Sequence, residues 1–170
     1  MNLRSLLLIL AILVITTGGC EKKDPGGNPC NGLVNESPPI PITIKVVEKG
    51  TGNNLILSKK LQASDITVVP VPADQKAINW RVLAIDNSTS PFNGTIQFGF
   101  FQETPGTYMH QVKLGSLGTV TLAYTVTKTA TDNECRPFYY PVSSIKITDY
   151  PFTMANYDGK SHPDFLVLEL

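Results

Sequence analysis

From Thr119 to Val126 the chain alternates without a break, with apolar Val120, Leu122, Tyr124 and Val126 set against Thr119, Thr121 and Thr125. Successive side chains of an extended backbone point to opposite faces, so a repeat of two builds a half-buried strand and not an amphipathic helix. The same repeat appears at Ile42, Ile44 and Val46, at Ile78, Trp80, Val82 and Ala84, and at Ile96, Phe98 and Phe100 opposite Thr95, Gln97 and Gly99. Turn chemistry separates these runs. Gly50-Thr51-Gly52-Asn53-Asn54 before Leu55-Ile56-Leu57 predicts a hairpin, Asp86 to Pro91 is turn-rich, and Pro105-Gly106 leads into a strand from Thr107 to Leu114. Ile66 to Val71 reads as an edge strand, because Pro70 and Pro72 cannot donate to an interior ladder. Thr129 to Asn133 reads as a polar loop, Phe138 to Ile147 as one or two strands, and Phe165 to Leu168 as a last strand covered on both faces. Eight or nine short strands without a helical period predict an all-β fold, an antiparallel Greek-key β-sandwich of immunoglobulin-like or prealbumin-like type.

The first nineteen residues have a different texture. Arg4 precedes an apolar run from Leu6 to Ile15 and then small residues, the pattern of a secretory signal and too short to span a bilayer. Thr17-Gly18-Gly19-Cys20 resembles the lipobox of bacterial lipoproteins, although such boxes usually carry an aliphatic residue where Thr17 stands. The resemblance implies cleavage before Cys20 and lipid on that cysteine. Glu21-Lys22-Lys23-Asp24 resembles the charged segment that follows the lipidated cysteine in surface-exported lipoproteins of Bacteroidota. The expected organisation is a signal over 1–19, a lipidated N-terminus and Pro/Gly-rich tether over 20–39, and a β-sandwich over 40–170. With Cys20 assigned to lipid, Cys30 and Cys135 are left as a disulfide pair for an oxidising compartment, two free thiols being the alternative.

Val46-Val47-Glu48-Lys49, the glycine turn, Leu55-Ile56 and then Ile66-Thr67-Val68 resemble the opening of prealbumin-like or carboxypeptidase-regulatory-like sandwich domains. That resemblance implies a non-catalytic accessory or spacer domain.

Charge and chemistry narrow the function. The chain has 14 basic and 14 acidic residues, so it carries no field suited to nucleic acid. His110 and His162 are the only histidines. His110 falls in register with Tyr108, Val112 and Leu114 as a wall residue, and Asp158, His162 and Asp164 around Gly159 fit a turn better than a metal loop. No nucleophile elbow surrounds Ser116 or Ser161, Asp132 and Glu134 read as a solvated loop, and Cys135 beside Arg136 reads as a half-cystine rather than a reactive thiolate. No catalytic residue, metal site or cofactor is expected. Trp80 has the company of a core residue, whereas Tyr139, Tyr140, Tyr150 and Tyr157 are candidate binding aromatics.

The function expected from these features is a non-catalytic binding or assembly module for a protein or glycan. It would be held by its N-terminal lipid in the bacterial cell envelope, at the outer membrane, facing the periplasm or the surface. A structural spacer or subunit of an envelope complex is the second expectation, and a carbohydrate-active enzyme the third.

Overall fold

The structure, a computed structural model, describes residue 30, residues 40–85 and residues 89–170. The signal segment, Cys20, the tether apart from Cys30, and the Asp86 to Ser88 part of the turn-rich stretch lie outside the described residues. The chain divides into two units, residues 1–34 and residues 35–170. In the first, Cys30 sits at a turn, half-buried. The second is the sandwich.

Its strands in chain order are β1 (Ile40–Val47), β2 (Ile66–Val71), β3 (Asn79–Leu83), β4 (Thr95–Phe100), β5 (Gly106–Leu114), β6 (Thr119–Val126), β7 (Thr129–Asn133), β8 (Arg136–Tyr139), β9 (Val142–Ile147), β10 (Phe152–Tyr157) and β11 (Lys160–Glu169). One sheet has the order β10-β11-β1-β4-β3, the second has the order β2-β5-β6-β9, and β7 and β8 form a separate ribbon. The all-β sandwich expected from the sequence is present. Its first sheet is mixed, because β1 runs parallel to β11 while it pairs antiparallel with β4.

Alternation decides which side chains fill the interior. Ile42, Ile44, Ile96 and Phe98 of the first sheet join Val112, Leu114, Val120 and Leu122 of the second in one core. Each such side chain, taken fully out of water, contributes roughly 1.5–3 kcal/mol. The β6 pattern holds throughout, with Val120, Leu122, Tyr124 and Val126 all buried. β2 is an edge, as its prolines require. β11 lies between β10 and β1, and Phe165, Leu166 and Leu168 are buried, as the two-faced apolar run suggests.

Three local expectations are corrected. Leu55–Ser58 is a helical turn, α1, not the return strand of a hairpin, and Val47 meets Asn54 only in an isolated bridge. The reason is Asn54, whose side-chain oxygen accepts from the backbone N–H groups of Ile56 at 2.9 Å and Leu57 at 3.2 Å. Such a cap satisfies donors that would otherwise be orphaned and starts a helix where three apolar residues in a row carry no period. Thr129 to Asn133 is the strand β7, not a loop, paired with β8 through Thr129↔Tyr139 and Ala130↔Phe138. Its turn is closed by polar side chains, with Thr131 Oγ1 donating to the Arg136 carbonyl and Cys135 N–H donating to Asn133 Oδ1. The segment before the last strand contains a further strand, β10, and β11 begins as early as Lys160.

Cys30 and Cys135 form a disulfide. It closes a loop of roughly 100 residues, for which chain entropy gives a stabilisation of about 4–5 kcal/mol.

Candidate functional site

The four outer edges of the two sheets differ in how they are built. β2 carries Pro70, β9 is bulged against β6 with Ser144 at φ 52°, and the pairing of β10 shifts register between Met154 and Ala155. Proline, bulges and register breaks are among the devices that blunt an edge against further pairing. β3 has none of them. Its five residues, Asn-Trp-Arg-Val-Leu, pair with β4 in unbroken register from Asn79↔Gly99 to Leu83↔Thr95, and no described strand pairs with its other flank.

The two faces of this edge are chemically distinct because neighbours in register share a face. On the outer face Asn79, Gly99 and Pro41 form one row, and Arg81, Gln97 and Thr43 the next. A groove of about 500 Å³ runs over these rows, with Phe101 as its aromatic wall. At Gly99, on the floor, a Cβ would meet the Phe101 ring at 3.8 Å, an ordinary contact. Phe101 is 40% exposed. The Arg81 guanidinium donates to Gln97 Oε1 from Nη2 at 2.6 Å and from Nε at 3.0 Å. A neutral amide therefore fixes its direction, and among the described residues no carboxylate pairs with it. Lys76 and Glu103 line an adjoining pocket that shares Asn79, Gly99 and Phe101 with this groove, and the Lys76 ammonium donates to the Phe101 carbonyl at 3.1 Å.

On the inner face Trp80 sits in register with Phe98, and Val82 with Ile96. Trp80 packs against the core but is half-buried, since no described strand pairs beyond β3. The sequence expectation of a core tryptophan holds for one face of the ring only. Beyond Val82 a second groove of about 410 Å³ is lined by Ile56, Leu57, Leu61, Val82 and Ala84, with Lys60 at its rim.

Set against family models, curated proteins and solved structures, the chain has no significant match.

The tyrosines singled out from sequence sit in different settings. Tyr139 is exposed at the end of β8, Tyr140 packs against the core, and Tyr150 is exposed in the turn between β9 and β10. Tyr157 stacks face to face on His162, with ring centroids 3.6 Å apart, and also meets Phe92 and Phe165. That cluster covers the outer face of β11 around the buried Phe165 and so serves packing. Asp158 and Gly159, both at positive φ, turn the chain from β10 into β11. Among the described residues no three of His, Cys, Asp and Glu gather as metal ligands.

His110 is fully buried in β5, its Nε2 3.3 Å from the Lys76 carbonyl and its ring stacked 5.8 Å from that of Tyr124. Burial pushes its pKa down, and the Lys76 carbonyl opposes this only in part. Neither Asp158 nor Glu134 is its partner, so the geometry is that of a wall residue. Burial also pushes the Tyr124 phenol up to about 12, against a hydrogen bond from the Gln102 amide.

Phe101, Arg81, Gln97 and Gly99 were the residues sequence reasoning passed over. A glycine inside an alternating strand, followed by Phe100-Phe101, was the available signal, since such a glycine often marks a close approach of another chain or ligand.

Proposed function

We propose that this chain is a non-catalytic binding module of the bacterial cell envelope, lipid-anchored at Cys20, which holds a protein partner against the β3 edge of its sandwich. The observation that carries the reading is the regular, unblunted flank of β3 with a groove on either side. Backbone groups on an open edge seek partners, and a fold that blunts its other edges keeps this one for use. The disulfide supports an oxidising compartment, and it accounts for the two cysteines that the lipobox resemblance leaves over. An exposed aromatic ring near Asn79 and Gln97 also suits a glycan, but the outward guanidinium and the bare strand edge favour a polypeptide. A spacer subunit of an envelope complex would use the same edge.

The test is position-resolved photocrosslinking in intact cells. A benzophenone side chain at Asn79 or Phe101 is expected to yield one discrete protein adduct in the membrane fraction, and the same group at Lys113, exposed on β5, none. Equal yields from all three positions, or adducts with polysaccharide alone, would overturn the reading. Intact mass of the native protein tests the anchor, the expected species being an acylated chain that begins at Cys20.

A further inference from the structure

Resting on that reading, we infer that the partner presents an extended segment that adds to β3 as a sixth strand, with a carboxylate facing Arg81 and apolar side chains at the alternate positions. The faces of β3 dictate this pattern. Side chains of an added strand alternate as those of β3 do. Every second guest residue therefore falls beside Trp80 and Val82, extending the apolar layer that Phe98 and Ile96 begin and reaching the groove of Ile56, Leu57 and Leu61. The residues between fall on the outer face, beside Asn79 and Arg81 and against the wall of Phe101.

Charge fixes the outer position. Among the described residues that line these grooves, Lys60, Lys76 and Arg81 stand against one carboxylate, Glu103, in a chain whose total charge is zero. Arg81 keeps free donor capacity beyond its two bonds to Gln97, and its planar fork is suited to a carboxylate. The same residue disfavours the simplest alternative occupant, a second copy of this chain. Arg81 is the central residue of the five in β3, so antiparallel pairing of two copies about the strand centre sets Arg81 opposite Arg81. Like charges directly opposite each other destabilise a strand pair.

The test uses the full chain and a fluorescein-labelled probe, a short peptide of alternating threonine and valine with one central glutamate, compared with the same peptide carrying lysine at the centre. The glutamate peptide is expected to bind roughly fivefold more tightly than the lysine peptide, from the worth of one cross-strand charge pair. Amides of Trp80, Arg81 and Val82 should gain protection from hydrogen exchange. In R81E, an exposed change whose fold is checked by thermal melting, the preference should reverse. Equal binding of both peptides, protection at other strands, or concentration-dependent self-association through β3 would overturn the inference. If the in-cell crosslinks from Asn79 and Phe101 survive R81E unchanged while neither peptide binds, the chain is a binding module that does not use strand addition. If the crosslinks are absent from the wild-type chain as well, both readings fail.

Discussion

Phe100 of β4 meets Tyr124 of β6 across the sandwich, edge to face, with ring centroids 4.2 Å apart and planes at 62°. This contact joins the two sheets, and Tyr124 extends it by stacking on Tyr108 and His110 within the second sheet. Removing a buried phenyl ring leaves a cavity, so Phe100→Ala is expected to cost about 3–5 kcal/mol. Tyr124→Phe should cost only about 0.5–1.5 kcal/mol, because it deletes one hydrogen bond to Gln102 and keeps the ring. Urea unfolding of the two variants checks the order. A smaller loss in Phe100→Ala than in Tyr124→Phe would deny this contact its role.

His110 makes stability depend on pH. Its imidazole titrates near 6.5 in the unfolded chain and lower in the fold, where burial disfavours the charged form. Between those two values the unfolded state binds more protons, so stability rises with pH through this window and is lost as pH falls below 6.5. The groups facing the ring are the Lys76 carbonyl and the Tyr124 ring, neither of which offers a negative charge to hold the proton. Melting temperatures measured from pH 8 to pH 5 should fall in the wild type. In His110→Phe the part of that fall that begins near 6.5 should vanish.

Asn54 has two separable duties. Its oxygen caps α1, and its amide donates to the carbonyls of Asn93 at 3.1 Å and Gly94 at 3.0 Å, tying α1 to the turn before β4. Asn54→Asp keeps the cap and loses the donors; Asn54→Ala loses both. The alanine variant is expected to be the less stable, by about 0.5–2 kcal/mol for the cap. Denaturant midpoints that place aspartate below alanine would refute the division.

Gly94 is required by both conformation and space. Its φ is +65°, and a Cβ there would lie 2.4 Å from Leu57 Cγ and 2.9 Å from Asn54 Nδ2. Gly94→Ala should cost about 1–3 kcal/mol through overpacking and backbone strain. Leu57 is 47% exposed and its truncation is cheap on its own. A double-mutant cycle should find Gly94→Ala less damaging in a Leu57→Ala background, and strict additivity would show that the Leu57 contact contributes nothing.

Reduction of the Cys30–Cys135 disulfide should lower stability by up to about 4–5 kcal/mol, since the unfolded chain regains the freedom of a long loop. Unfolding with and without reductant, beside Cys135→Ser, measures it. An unchanged midpoint would contradict the chain-entropy account.

Much of this fold was legible because burial imposes a repeat of two on any strand with one wet face. β4, β5 and β6 were readable to within a residue or so, and Pro70 revealed that β2 is an edge. α1 was hidden, because Leu55-Ile56-Leu57 has no period and the deciding interaction is the Asn54 cap. β7 was hidden because its stability comes from polar closure at Thr131 and Asn133, not from an apolar face. The candidate site was the least legible element. Arg81 and Gly99 could be assigned to the outward face of their strands, but that β3 is an outermost strand depends on which strands meet. The parallel pairing of β1 with β11 sets that order and joins residues more than a hundred positions apart, which local pattern does not record.

The role proposed for β3 is that of an open edge which a partner closes. Hydrogen exchange followed by mass spectrometry on the segment containing Asn79–Leu83, in native membranes and in the purified chain, measures this directly. The expected result is about tenfold slower exchange of this segment in the membranes, with β4 and β6 equally protected in both samples. Equal exchange of β3 in the two samples would contradict the claim.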